Sequence, residues 1–281
     1  MCHLIYTDTF YMKRKWIRWV SWILLTPIIL FVILMVLLYV PPVQNLLRRE
    51  VTAYASKATG MQIQVERIDL RFPLNLLVRG VEVIQQPDTL LSLESLNVRV
   101  QAWPLIKGKV EVDEVTLSRV AVNSADLMEG MKIKGVLGRF FLQSHGVDLS
   151  NELAVINQVE LSDTHVQLLM NDTTTTPKDT TASAPINWKV ALHQLKLKNV
   201  SFSMQLPADS MRMAAHIGEA AIDDAQADLK NQYYDLKKFL LLGTSASYDT
   251  GTAQPTEGFD ASHIAVRDIR IALDSLLYKG R

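Results

Sequence analysis

From Met61 onward the chain keeps returning to one short pattern: an apolar residue, a polar pair, then two apolar residues with one residue between them. Val78-Arg-Gly-Val81-Glu-Val83 has this form, and so do Leu117-Ser-Arg-Val120-Ala-Val122 and Leu161-Ser-Asp-Thr164-His-Val166. Leu197-Lys-Asn-Val200-Ser-Phe202 and Val266-Arg-Asp-Ile269-Arg-Ile271 repeat it. Alternation with period two is what a half-buried strand needs, because successive side chains point to opposite faces. The odd step inside the motif implies a bulge or small turn that resets which face points inwards. The motifs start at 78, 117, 161, 197 and 266, so three spacings are near one period and the last is nearly two. Units of this size belong to stacked or elongated architectures in which each repeat covers only its neighbours.

Similar alternation runs through Ile63, Val65, Ile68, Leu70 and Phe72, then through Leu91 to Val100 and Val110 to Val122. Gly80, Pro87-Asp88, Trp103-Pro104 and Lys107-Gly108 punctuate it, as strand-joining turns do. The expected class is therefore mainly β: an elongated, curved antiparallel sheet over residues 61–281. Asn171 to Pro185 is polar and low in complexity, and reads as a loop between strands, since the motif stands on both sides. Met211 to Leu242 is rich in alanine, but its Tyr233, Tyr234 and Phe239 cluster favours strands. Thr244 to Ser262, rich in Gly, Ser and Thr, reads as another loop. The last apolar strand is followed by no closing element, as in the N-terminal part of something longer.

Ahead of the strands lies Trp16 to Tyr39, about two dozen residues whose one charge is Arg18. A helix rising about 1.5 Å per residue needs roughly 20 residues to cross a bilayer core. Lys13, Arg14, Lys15 and Arg18 at its start place residues 1–15 in the cytoplasm and the rest beyond the membrane. The run is longer than a cleaved signal's apolar region and lacks a small-x-small site, so it reads as an uncleaved anchor. Trp16, Trp19, Trp22 and Tyr39 suit the membrane interfaces. Met12-Lys-Arg-Lys makes a more natural beginning than Met1. Residues 42–58 form an amphipathic segment in which Val43, Leu46, Leu47, Val51, Tyr54 and Ala55 recur at three- and four-residue steps, ended by Gly60. Such a helix caps the open end of a sheet and joins the anchor to it.

Lys plus Arg equals Asp plus Glu, 29 each, so no global field points to nucleic acid. The single cysteine, Cys2, precedes the span, which leaves no disulfide beyond it. Six scattered histidines form no HExxH pair, and neither a Gly-x-Ser-x-Gly elbow nor a phosphate-cradling glycine run is present. Asp223, Asp224 and Asp228 are the densest carboxylate cluster and read as a solvated acidic face. No enzyme activity, cofactor or metal is expected. A sheet with one apolar face must cover it. It either closes as a two-sheet sandwich, giving a structural or scaffold envelope protein, or remains an open apolar groove for lipid tails. The candidate groove residues are Ile68, Leu70, Val81, Val83, Leu96 and Val98. They continue with Val115, Leu117, Val120, Val159, Leu161, Leu195 and Leu197.

One ordered series is more specific than these patterns. A single span and a short helix are followed by Ala58-Thr-Gly60-Met-Gln-Ile-Gln-Val-Glu-Arg-Ile-Asp-Leu-Arg-Phe-Pro73, Val78-Arg-Gly-Val-Glu-Val83 and Trp103-Pro-Leu-Ile-Lys-Gly-Lys-Val-Glu-Val112. This resembles the N-terminal region of the TamB branch of AsmA-like envelope proteins, from about Met12 onward. The resemblance implies a protein of the bacterial inner membrane with its bulk in the periplasm. It also implies a curved β-sheet with an apolar interior and a role in phospholipid movement between the two membranes or in outer-membrane protein translocation and assembly. Its implied partners are phospholipids, the inner membrane and an outer-membrane barrel of the TamA kind. Family members meet that barrel through a C-terminal domain that these residues do not contain.

Overall fold

The computed structural model describes residues 39–72, 74–85, 87–106, 111–124, 130–148, 152–170, 187–251 and 257–280. The expected span at 16–39, with Trp16, Trp19 and Trp22, lies outside them except for Tyr39. No helix among the described residues is long and apolar enough to cross a membrane.

Helix α1, Pro41–Thr59, starts with proline in its first turn and stops at Gly60, whose φ of 70° lets its N–H return to the Ser56 carbonyl at 2.9 Å. The strands follow: β1 Gln62–Arg71, β2 Asn75–Gln85, β3 Asp88–Val100, β4 Val112–Asn123, β5 Met131–Asp148 and β6 Leu153–Met170. After them come β7 Lys189–Leu206, β8 Met211–Asp228, β9 Tyr233–Asp249, β10 His263–Leu273 and β11 Leu276–Lys279. A one-turn helix α2, Ala102–Ile106, occupies the Trp103-Pro104 break.

All described strands form one sheet in chain order from β1 to β10, with β11 beside β9. Nine inter-strand steps of about 4.8 Å make it about 43 Å across. Among the described residues the substantial contacts run only between sheet neighbours and between α1 and β1, so no second sheet covers it. This is the mainly-β fold expected, with a correction: the sheet is mixed, because β6 and β7 are parallel. Each has 18 residues, about 60 Å of strand. The 18 residues that separate them can span a similar length, which a parallel return requires and a hairpin does not.

A second correction concerns the stretch from Thr244, expected as a loop. Strand β9 runs on to Asp249, because Thr244, Ala246 and Tyr248 alternate with Ser245 and Ser247 and suit a two-faced strand. On α1, Leu46, Val51 and Tyr54 are 56%, 47% and 77% exposed, while Val43 and Ala55 are half-buried. Gln44, Arg48 and Ser56, four and eight residues apart, join the helix to the free edge of β1. Gln44 Nε2 donates to the Leu70 carbonyl at 3.0 Å, and Arg48 Nη1 donates to that of Glu66 at 2.8 Å. The Ile63 N–H donates to Ser56 Oγ at 3.0 Å. Edge groups that would pair with another chain are thereby occupied.

Candidate functional site

The register explains the motif. Its third residue is left-handed in all five copies, with φ of 59° at Gly80, 47° at Arg119, 51° at Asp163 and 53° at Asn199 and Asp268. Gly, Asn and Asp tolerate this backbone best. A sixth instance, Leu241-Leu-Gly243-Thr-Ser-Ala246, has the same geometry at Gly243, φ 58°. It escaped the sequence reading because Thr244 and Ala246 are weakly apolar. With it included, six strands carry the motif: β2, β4, β6, β7 and β9 run in one direction, and β10 runs in the other. The spacing of 69 thus divides into 44 residues to β9 and 25 more to β10.

These residues line up. Glu66, Gly80, Glu94, Arg119, Gly138, Asp163, Asn199, Gly218 and Gly243 form one transverse row across β1 to β9. Arg119 pairs with Glu94, and Asn199 Nδ2 donates to Asp163 Oδ1 at 2.8 Å. In β4, apolar Val115 and Leu117 stand on one side of the row and Val120 and Val122 on the other. The left-handed residue is the break in strict alternation that an odd Leu117-to-Val120 spacing calls for.

The apolar residues form further rows parallel to this crease. One contains Ile68, Val78, Leu96, Leu117, Phe140, Leu161, Leu197, Ala220, Leu241 and Ile271. The next contains Leu70, Leu76, Val98, Val115, Leu142, Val159, Leu195, Ile222, Phe239 and Leu273. Across the crease, Val81 and Val120 share a row with Val65, Leu93, Leu137 and Val200, and Val83 shares one with Ile63, Leu91, Val122 and Phe202. The thirteen candidate groove residues therefore fall into four adjacent rows, each spanning the sheet. Between the crease and the Leu117 row lies a polar row of Arg67, Arg79, Ser95, Ser118, Arg139, Ser162 and Lys198. Between the Leu117 and Val115 rows lies a mixed one, in which Asp69, Asn97, Thr116, Glu160 and Lys196 alternate with Leu77, Phe141 and Leu240.

The apolar rows are scarcely covered. Ile68, Leu90, Ala154, Leu206 and Ala220 are the buried apolar residues described, none of them completely. Phe202 remains 41% exposed and Val122 38%. None of the three concavities described contains any of the thirteen candidates, although the one of about 510 Å³ is bordered by Phe202, Ala215, Ala246 and Val266 of the row that includes Val83. The largest, about 610 Å³, is lined by Gln205, Arg212, Asp249 and His263 among others, and one of about 510 Å³ by His165, Ser201 and His216 among others.

Among the described residues no three His, Cys, Asp or Glu side chains come together as a metal site. The acidic cluster is dispersed: Asp223 faces Gln194, Asp224 lies 3.0 Å from His193 Nδ1, and Asp228 accepts from Asn231. The chain matches no model of a known protein family and no curated protein.

Proposed function

We propose that this chain is a non-enzymatic lipid-binding protein whose apolar rows carry the acyl chains of phospholipids across the sheet. It would be anchored in a bacterial inner membrane by residues 16–39, with the sheet in the periplasm as part of a path between the two membranes. The observation that carries this reading is the conjunction of continuous apolar rows with the absence of a covering layer over the described sheet. Exposed contiguous apolar surface of this extent marks an interaction surface. An acyl chain laid along a row gains about 0.8 kcal/mol per CH₂ removed from water and needs no specific polar partner. The rows run in the direction in which strands are added, so lipid can shift along them without crossing a polar row. The edge cap by α1 closes one side of this surface next to the expected anchor.

Native mass spectrometry with lipid extraction, on the full chain purified from a two-membrane bacterium in mild detergent, tests this. Co-purifying phospholipids that are lost in a folded Leu117→Arg variant are the expected result. A folded wild-type chain that carries no lipid would overturn the proposal and leave the scaffold reading.

A further inference from the structure

We propose that the concavity of about 510 Å³ over strands β6 to β10 is an anion site for a phosphate group, either free or on a lipid head. It goes beyond the acyl-chain surface, because its polar lining occupies strand positions that alternate with the apolar rows, although Phe202, Ala215, Ala246 and Val266 of those rows also border it. His165, Ser201, His216 and Ser245 make one cross-strand row of its lining. The neighbouring row, Val166, Phe202, Ala215 and Ala246, belongs to the apolar set, and consecutive strand residues face opposite ways.

Three features fit an oxyanion. Arg267, two histidines and the hydroxyls of Ser201, Ser203, Ser245 and Ser247 line the space, and no carboxylate does. Several other bases of the sheet are paired with acids, as Arg67 is with Asp69 and Arg99 with Glu114. Among the described residues Arg267 has no ion-pair partner, because the adjacent Asp268 is held by Arg270 through two bonds of 3.0 and 3.1 Å. A free guanidinium presents planar paired donors that match phosphate geometry. Ser201 Oγ and His216 Nδ1 lie 2.9 Å apart, and with the hydroxyl donating to Nδ1 the ring's Nε2–H is left to donate to an anion. Ala214 and Ala265 keep the cavity open by being small. The register slip between Val266 and Ile269 brings Arg267 to its rim.

The test uses the full chain in detergent with ¹⁵N-labelled histidine, titrated with inorganic phosphate at constant ionic strength. His165 and His216 imidazole signals are expected to shift and saturate. Arg267→Gln should weaken that binding about tenfold or more, the loss of a charge-assisted hydrogen bond. Lys238→Gln, which removes an equal charge from the neighbouring strand β9 outside the cavity, should leave it intact. Shifts that never saturate, or equal losses in both variants, would overturn the site. A second arm adds phosphatidic acid in phosphatidylcholine vesicles. Tighter, Arg267-dependent histidine shifts there than with inorganic phosphate identify the lipid head as the source, and equal or weaker ones identify free phosphate. Leu117→Arg should leave the phosphate response unchanged, so failure of this site and failure of the acyl-chain surface are separable.

Discussion

Gly138 lies directly opposite Asp163, and a Cβ on that glycine would stand 2.7 Å from the aspartate's own Cβ and 3.1 Å from two backbone oxygens of β6. Gly80 stands in the same relation to Glu66, whose Cβ would be 2.7 Å away. Side chains along the crease converge, so a glycine is needed where two neighbours cannot both carry a Cβ.

Gly138→Ala is therefore expected to destabilise the sheet by about 1–3 kcal/mol, the range for forced overpacking. Arg119→Gly should act in the opposite direction. It relieves a left-handed backbone that costs a non-glycine residue about 1 kcal/mol, while the exposed pair with Glu94 contributes only about 0–1 kcal/mol. Thermal unfolding of the two variants checks the signs. A stabilised Gly138→Ala would refute the convergence.

The helix-to-edge junction makes a local prediction. Ser56→Ala removes the acceptor of the Ile63 N–H, so exchange of that amide should accelerate while amides inside the β2–β3 pair stay protected. Unchanged exchange at Ile63 would mean that α1 does not guard the edge in solution.

The parallel joint is tested by chemistry. Ser162 and Lys198 are register partners on neighbouring parallel strands, about 4.8 Å apart by strand spacing. A Ser162→Cys, Lys198→Cys variant should cross-link on oxidation. When residues 171–186 are replaced by four residues, the chain can no longer return along β6, and the cross-link should disappear. Its persistence would contradict the parallel register.

Much of this fold was legible in the residues, and the misses have physical causes. The Leu-x-x-Val-x-Val motif already implied a local reset, and its left-handed residue is that reset. Strand direction was not legible, because a side chain's alternation is the same in parallel and antiparallel neighbours; only the length of the 171–188 connection hinted at it. Thr244 to Asp249 looked like a loop because serine and threonine serve turns and solvent-facing strand positions equally. The polar half of the α1 junction was not legible, because the backbone groups that Gln44, Arg48 and Ser56 satisfy belong to the edge of a strand whose pairing no local pattern reveals. The candidate groove residues share strand alternation, which is why they fall into rows. The histidine- and serine-lined concavity needed β6, β7, β8, β9 and β10 side by side, and no spacing in the sequence reveals that.

Asp228 gives a pH dependence. The Asn231 backbone N–H, at 3.0 Å, is the main cause that holds its carboxyl below the ordinary value. Desolvation opposes it, while the Asn231 side chain and Lys189 reinforce it. A carboxyl lowered on folding contributes stability above its unfolded pKa and loses it as pH falls through the folded value. The β8–β9 turn should thus stay closed at neutral pH and loosen only in acid. Amide exchange at Asn231, corrected for the intrinsic pH effect, should show that loosening in the wild type and not in Asp228→Asn. The same acid response in both would remove Asp228 as its cause.

The central claim is that one side of an uncovered sheet holds acyl chains, and alternation allows it to be tested residue by residue. A photo-crosslinking amino acid would be placed in turn at Leu117, Ser118, Leu161 and Ser162 in the full chain, and irradiated in living bacteria. Phospholipid adducts at 117 and 161, and few or none at 118 and 162, are the predicted result. Equal labelling of neighbouring positions, or no lipid adduct at 117 and 161, would contradict it.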